Sequence, residues 1–343
     1  MLIDSPSVVQ IPVPYMHMQA PDKKVMMGHF MSESNISKVS VCIPTFNGAD
    51  YLCQAVESVL AQNYQDFEII IVDNCSTDQT ATLVEGLQKK SDQRIRFYKN
   101  ESNIGLAGNF NKCLEYAQGT YIKFLCVDDL LLPGCLEQMA AALDAHHSVT
   151  LVCGGRVIIN ETGEELKLKQ YSSRDTIIPG GKAITRCLFG KNYIGEPTAV
   201  MFRKNDLTSR FRSDLLQLVD MEVWLQLLEQ GDLLNITGSL CAIRLHSKQM
   251  SQANCKSGQP IEDRMQLLSR FALKAHGASN LIRLKGLFHM SYRVYLYRNY
   301  LSEERKQEIL SLWGNRFLYG LMFIWGPIEK YLIKSPKYNI DWD

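Results

Sequence analysis

Two adjacent carboxylates, Asp128 and Asp129, end an apolar run, Tyr121-Ile122-Lys123-Phe124-Leu125-Cys126-Val127. Neighbouring carboxylates repel each other and are costly to desolvate unless positive charge sits beside them. A divalent cation is the obvious partner, because Mg2+ is usually held by one or two carboxylates plus substrate phosphates. A turn and helix N-cap ahead of Pro133 is the plainer job for the same residues. Two further acids, Asp220 and Glu222, lie near the start of a helical pattern over Leu218–Leu228, where the helix dipole stabilises an acid whatever else it does. The 10 cysteines include no C-x-x-C, and Cys42, Cys126 and Cys153 sit inside apolar runs. That pattern points to reduced, mostly buried thiols in a cytosolic protein. No local pattern supports a Cys–His nucleophile.

The elements that must position these residues follow from the apolar pattern. The run before Asp128 is short, rich in strand formers and preceded by Gly119, so it reads as a buried strand of a parallel sheet. Ligands of open α/β sheets bind beyond the carboxyl ends of the strands, which is where the Asp pair falls. Lys38–Ile43 reads as a first strand, stopped by the turn formers Pro44-Thr45-Phe46-Asn47-Gly48. Asp50 is expected to cap the following helix. Phe67–Val72 is a second strand running into Asp73-Asn74-Cys75-Ser76-Thr77-Asp78, and Ser76 with Gln79 fits a capping box. Ile95–Tyr98 is a short third strand, and a helix covers Phe110–Ala117. Leu136–Ala145 is helical and Val149–Ile159 a strand in which Gly154-Gly155 marks a bulge or close backbone approach. Gly180-Gly181 opens a helix through Phe189; Thr198–Phe202 and Leu240–His246 read as strands. Alternating strands and helices mean βαβ units. With 46% hydrophobic and 21% charged residues the chain is of ordinary globular composition, and a net charge of +1 gives no reason to expect nucleic acid as partner.

Taken in order, Val41-Cys42-Ile43-Pro44-Thr45-Phe46-Asn47, Ile71-Val72-Asp73-Asn74-Cys75-Ser76-Thr77-Asp78, Asn103-Ile104-Gly105, Asp128-Asp129, Asp220-Met221-Glu222-Val223-Trp224 and Arg244-Leu245-His246-Ser247 resemble the motifs of the family 2 glycosyltransferases. The resemblance covers roughly residues 38–250 and implies a GT-A fold: a Rossmann-like, mostly parallel central sheet flanked by helices. It implies an inverting, metal-dependent transfer of a sugar from a nucleotide-diphosphate donor, UDP-hexose favoured, to an acceptor hydroxyl, in cell-surface polysaccharide or glycolipid assembly. Pro44, Thr45 and Asn47 would lie under the nucleotide, and Asp73 would bind the base edge. Asn103 and Gly105 would lie near the sugar nucleotide, although capping and turn roles suit them equally. Asp128 would contact the ribose and Asp129 would hold Mg2+ or Mn2+. Many members carry another acid where this chain has Cys126. Asp220 would be the catalytic base, with Glu222 as the alternative. Arg244 and His246 could reach the diphosphate or the metal.

Two other readings compete. A sugar nucleotidyltransferase needs a Gly-rich basic loop after the first strand, and the Pro44–Gly48 loop holds one glycine and no Lys or Arg. A non-catalytic nucleotide-sugar-binding protein would not need Asp73, Asp129 and Asp220 together. Outside the catalytic span, residues 1–37 are expected to form a poorly ordered leader, with Pro6, Pro12, Pro14 and Pro21 and no apolar h-region. Division of the span gives a nucleotide-sugar half at about 38–130 and an acceptor half at about 131–250. Residues 251–343 are expected to be a basic helical extension, with 13 Lys/Arg against 8 Asp/Glu over 261–343. Phe317–Ile328 carries no charge, is too short to span a bilayer, and is flanked by Lys and aromatic residues over 313–334. That suits a helix lying at the cytoplasmic membrane face near a saccharide or lipid-linked acceptor, or equally one packed on the domain or in a dimer.

Overall fold

The structure, a computed structural model, describes residues 37–89, 93–189, 192–247, 249, 259–271 and 303–304. The strands are β1 (Val39–Thr45), β2 (Phe67–Asp73), β3 (Ile95–Lys99), β4 (Tyr121–Phe124), β5 (Leu130–Leu131), β6 (Val149–Ile159), β7 (Glu165–Lys169), β8 (Thr176–Ile178), β9 (Val200–Arg203) and β10 (Asp232–Arg244). The helices are α1 (Leu52–Leu60), α2 (Thr80–Lys89), α3 (Gly105–Tyr116), α4 (Cys135–Ala145), α5 (Gly180–Phe189), α6 (Val219–Gln230) and α7 (Gln259–Phe271). They form an α/β sandwich around one sheet of order β3-β2-β1-β4-β9-β6-β10-β5, with β7 on β6 and β8 on β10. The half that carries β3, β2, β1 and β4 is parallel throughout. Strand β9 joins it antiparallel to β4 and β6, and β6 runs parallel to β10.

Strand periodicity splits the core into two layers. Val41 and Ile43 of β1 and Ile69 and Ile71 of β2 face α1, α2 and α4. Cys42, Ile70 and Val72 face the opposite layer, where Phe110, Trp224, Leu267 and Phe271 of α3, α6 and α7 meet. Every residue of β1, β2 and β4 except Pro44 is buried, as sheets covered on both faces require.

Several local expectations change. Helix α1 begins at Leu52, so Tyr51 rather than Asp50 stands at its N-cap position, and Tyr51 makes no side-chain cap bond. The Ser76–Gln79 capping box does not form. Ser76 Oγ instead accepts the Asn47 N–H at 2.8 Å, and Asp78 Oδ1 accepts the Thr80 N–H at 3.0 Å. A bond between two loops has replaced a local cap. Helix α3 starts at Gly105 rather than Phe110. Strand β10 starts eight residues earlier than the apolar run predicted, since the polar residues between Asn235 and Ser239 sit in an irregular part of its pairing with β6. The short β5, β7 and β8 had no apolar signal long enough to see.

The close approach expected at Gly154-Gly155 is present. A Cβ on Gly155 would lie 2.3 Å from the Gly238 carbonyl oxygen, and backbone cannot yield as a flexible side chain can. Gly155→Ala is expected to cost on the order of 1–3 kcal/mol, read as a lowered urea midpoint at unchanged m-value.

Helix α7 belongs to the stretch read as an extension, yet it packs into the same core as α3 and α6. Leu267 and Phe271 are buried there, and Arg264 donates to the Cys187 and Leu188 carbonyls at 2.8 and 2.9 Å. The leader and the 313–334 segment lie outside the described residues. Among the described residues no helix is long and apolar enough to cross a membrane.

Candidate active site

The carboxyl ends of β1 and β2 place Thr45 beside Asp73 in register. Both are essentially inaccessible, and the Thr45 hydroxyl and Asp73 Oδ2 make no hydrogen bond among the described residues. Lys99 Nζ stands 3.8 Å from Asp73 Oδ2, while Oδ1 accepts the Ser76 N–H at 2.9 Å. Two buried oxygens without a hydrogen bond at a strand end are costly unless a ligand completes them. Asn47, in left-handed conformation at φ 50°, accepts the Thr77 N–H at 2.9 Å and so shapes the crevice wall. Asn103 Oδ1 accepts from Asn74 Nδ2 at 2.8 Å and from the Gly105 N–H at 2.9 Å, so the Asn103–Gly105 turn is occupied with holding the start of α3. Pro44 lies in β1 itself, paired with Val72.

Past β4 the chain turns tightly, the Asp129 N–H donating to the Cys126 carbonyl at 3.0 Å. Asp129 is buried, and both its oxygens are taken. Thr198 Oγ1 donates to Oδ2 at 2.6 Å and the Arg244 N–H donates to Oδ1 at 3.0 Å. Burial first, and the charge of Asp128 second, push its carboxyl well above the usual carboxylate range. Asp128 is more open. His246 Nε2 at 3.0 Å and Gln249 Nε2 at 3.4 Å both address its Oδ2. One ligand atom each from Cys126, Asp128 and Asp129 lies within 4.8 Å of the others.

Arg244 is engaged by the protein itself. Its guanidinium donates to the carbonyls of Asp128 (3.0 Å), Asn160 (3.3 Å) and Glu161 (3.0 Å) and to Gln54 Oε1 (3.0 Å), and it lies over the Tyr51 ring. Four of its five N–H groups are spent on the protein, so Arg244 clamps the Asp128–Asp129 turn.

The two acids of α6 have separate fates. Asp220 is half-buried, its Oδ1 accepting the Met221 N–H at 2.7 Å, and its carboxyl is pushed up to about 7, mainly by burial and further by the charge of Glu196. Glu222 is fully buried, holds Arg270 of α7 in an ion pair and accepts from Gln226 Nε2 at 2.5 Å. Asp263 of α7 fixes the start of α6, for its Oδ2 accepts the N–H groups of Leu216, Gln217 and Leu218 at 3.1, 2.5 and 2.8 Å. Asp263→Ala is expected to cost roughly 1–3 kcal/mol, seen as a lower Tm, because three part-buried N–H groups lose their shared acceptor.

Thr198, Glu196 and Asp263 were missed at the level of sequence. Turn formers Gly195-Glu196-Pro197 ahead of a strand were the only local signal for the first two. Thr198 matters twice, since its hydroxyl also accepts the Cys126 N–H at 3.0 Å. The buried Lys123 holds the same segment by donating to the Thr198 carbonyl at 2.5 Å.

A parallel α/β half joined through an antiparallel strand to a mixed half is a GT-A architecture. The chain belongs to glycosyl transferase family 2, whose model matches residues 40–211. It is 32% identical over 193 residues to Bacillus subtilis TuaG, named for teichuronic acid biosynthesis, a match covering 56% of this chain and 73% of TuaG. For the first curated relatives the match reaches 61% and 45% of their own length. Among solved structures, Staphylococcus aureus TarS 1–349 in complex with UDP-GlcNAc superposes with a TM-score of 0.56 at 20% identity, over 77% of this chain and 72% of that one. The mannosyltransferase PcManGT from Pyrobaculum calidifontis, in complex with GDP-Man and Mn2+, gives 0.55 at 16% identity, over 87% and 85%. At those identities the two structures speak to the fold.

Proposed function

We propose that this protein moves a hexose from a nucleotide-diphosphate sugar, UDP-linked by preference, to an acceptor hydroxyl with inversion, in assembly of a surface polysaccharide or glycolipid at the cytoplasmic membrane face. The observation that carries the reading is the half-buried Asp220, its carboxyl pushed up to about 7, in the same core as a strand-end crevice with unpartnered acceptors. Thr45 and Asp73 receive the base and ribose, their unpartnered oxygens accepting from N–H and hydroxyl groups of the nucleotide. The donor set suits Mg2+ or Mn2+, being carboxylates with one imidazole. Asp128 and His246 would hold the ion and Asp129 would sit behind them, because the inner carboxylate already has both oxygens engaged. When bound, such an ion neutralises charge developing on the leaving diphosphate.

Asp220 removes the proton from the acceptor hydroxyl as its oxygen bonds to the anomeric carbon. The bond from that carbon to the diphosphate oxygen breaks with its electron pair, and the proton stays on Asp220. A pKa near the working pH suits a group that must be ionised yet basic. Burial of Glu222 in its pair with Arg270 leaves Asp220 as the acid able to meet an acceptor. A panel of nucleotide sugars incubated with Mn2+ tests the reading. Release of the nucleoside diphosphate from at least one is expected, and NMR of a transferred product should give the β anomer from an α-linked donor. Retention, or no cleavage of any donor, would refute it.

A further inference from the structure

We infer that Glu196 is the acceptor-orienting carboxylate of this enzyme, accepting a hydrogen bond from a second hydroxyl of a neutral sugar acceptor; the assignment rests on the transfer reaction proposed above. Glu196 lies in the turn Gly195-Glu196-Pro197-Thr198, which is tied at both ends. Thr198 Oγ1 donates to Asp129 on the donor side at 2.6 Å. Trp224 Nε1 donates to the Gly195 carbonyl at 3.3 Å, and Trp224 stands one helical turn beyond Asp220 on α6. The turn therefore bridges the metal-binding carboxylates and the base. An acceptor hydroxyl must stand between those same two groups as it attacks.

The carboxylate is held in place and still open. Arg156, with 4% of its side chain exposed, brings Nε to 2.5 Å from Glu196 Oε2, and Lys169 Nζ stands 3.7 Å from Oε1. The Glu196 side chain remains 37% exposed. Gly195, at φ +120°, lets the backbone pass the Arg156 guanidinium, which a Cβ would meet at 3.0 Å. Pro197 opens the short 3-10 turn that follows. Such a carboxylate is preorganised as an acceptor of hydroxyl hydrogen bonds. Its charge also acts on the base, raising the Asp220 carboxyl. Two acids near enough for the charge of one to raise the other repel a phosphate or uronic acid acceptor and suit a neutral polyol. A sugar with a hydroxyl next to the attacking one can address Asp220 and Glu196 together.

The plainer job for Glu196 is to neutralise the buried Arg156, and the experiment separates the two. Full-length protein is supplied with whichever nucleotide sugar it hydrolyses. p-Nitrophenyl glycosides of glucose, galactose and N-acetylglucosamine serve as acceptors, with glycerol 3-phosphate as the anionic comparator. Nucleotide release above the water rate is expected with a glycoside and not with glycerol 3-phosphate. Glu196→Gln should raise the acceptor KM by about tenfold or more while donor hydrolysis by water stays near wild type, and its Tm should fall because the buried Arg156 loses a charged partner. Glu196→Asp keeps the charge beside Arg156 but withdraws it from the gap, so it should show the same KM penalty with Tm retained. An acceptor analogue lacking the adjacent hydroxyl should lose little further on Glu196→Gln. An unchanged acceptor KM, a parallel loss of donor hydrolysis, or no stimulation by any glycoside would overturn the assignment. If the wild type hydrolyses no nucleotide sugar, the transfer reading falls and this assignment falls with it.

Discussion

Asp220→Asn is expected to leave donor binding close to wild type while transfer drops by roughly 10² to 10⁴, the usual span for a general base. The amide can still accept the Met221 N–H that the carboxylate accepts at 2.7 Å, so the start of α6 should keep its shape. What it cannot do is take a proton. The pH profile gives the sharper test. A base is active when ionised, and the Asp220 carboxyl is pushed up to about 7. In the wild type kcat/KM should rise about tenfold per pH unit below 7 and level off above it. In Asp220→Asn that limb should vanish from what activity remains. Glu222→Gln is the control. It breaks the pair with Arg270, so Tm should fall, while the limb near 7 persists. A limb that survives in Asp220→Asn would remove Asp220 from the base role.

Removing the cation should be nearly as damaging. Excess EDTA is expected to abolish transfer, and restoring Mg2+ or Mn2+ to recover it. The two neighbouring aspartates should then part company. Asp128→Asn takes charge from the open carboxylate facing His246, so it should weaken ion binding by ~10- to 100-fold or more at little change in Tm. In Asp129→Asn one of two buried donors, the Thr198 hydroxyl or the Arg244 N–H, faces an amide NH2, a loss of about 1–3 kcal/mol that should appear as a lower Tm. Titration of ion binding together with Tm for both variants decides the matter. Lost binding at unchanged Tm for Asp129→Asn, with Asp128→Asn still binding, would place the ion on the inner carboxylate, as the family resemblance alone implies.

Much of the donor half was legible because its signals are local. An apolar run that stops at a carboxylate marks both a strand and its carboxyl end, and Asp73 and the Asp128–Asp129 pair were visible for that reason. Capping was less legible. Ser76 looked like the first residue of a capping box, but Asn47, 29 positions away, uses its hydroxyl. Arg244 looked like a strand-end cation. Its fate depends on β10 lying between β6 and β5, which brings the Asn160 and Glu161 carbonyls and the Asp128 turn around one guanidinium. No periodicity in the sequence encodes that meeting. Asp263 was hidden by a boundary drawn from composition, since the basic, helical character of the chain begins at the residues that hold α6 from below.

The turn at 195–198 also limits how such an enzyme can be recombined. By sequence it falls in the acceptor half, but its Thr198 hydroxyl serves Asp129 while its Gly195 carbonyl serves Trp224. A chimera that keeps residues 38–130 of this chain and takes everything after them from a relative imports a turn fitted to another carboxylate. One that crosses over between Thr198 and Trp224 leaves the native turn facing a foreign helix. Half-domain exchange should therefore succeed only between parents that share a hydroxyl, a glycine and an indole at these three positions, or when all three travel with their partners. For anyone seeking a new acceptor range, single substitutions around Glu196 are the safer route than grafted halves.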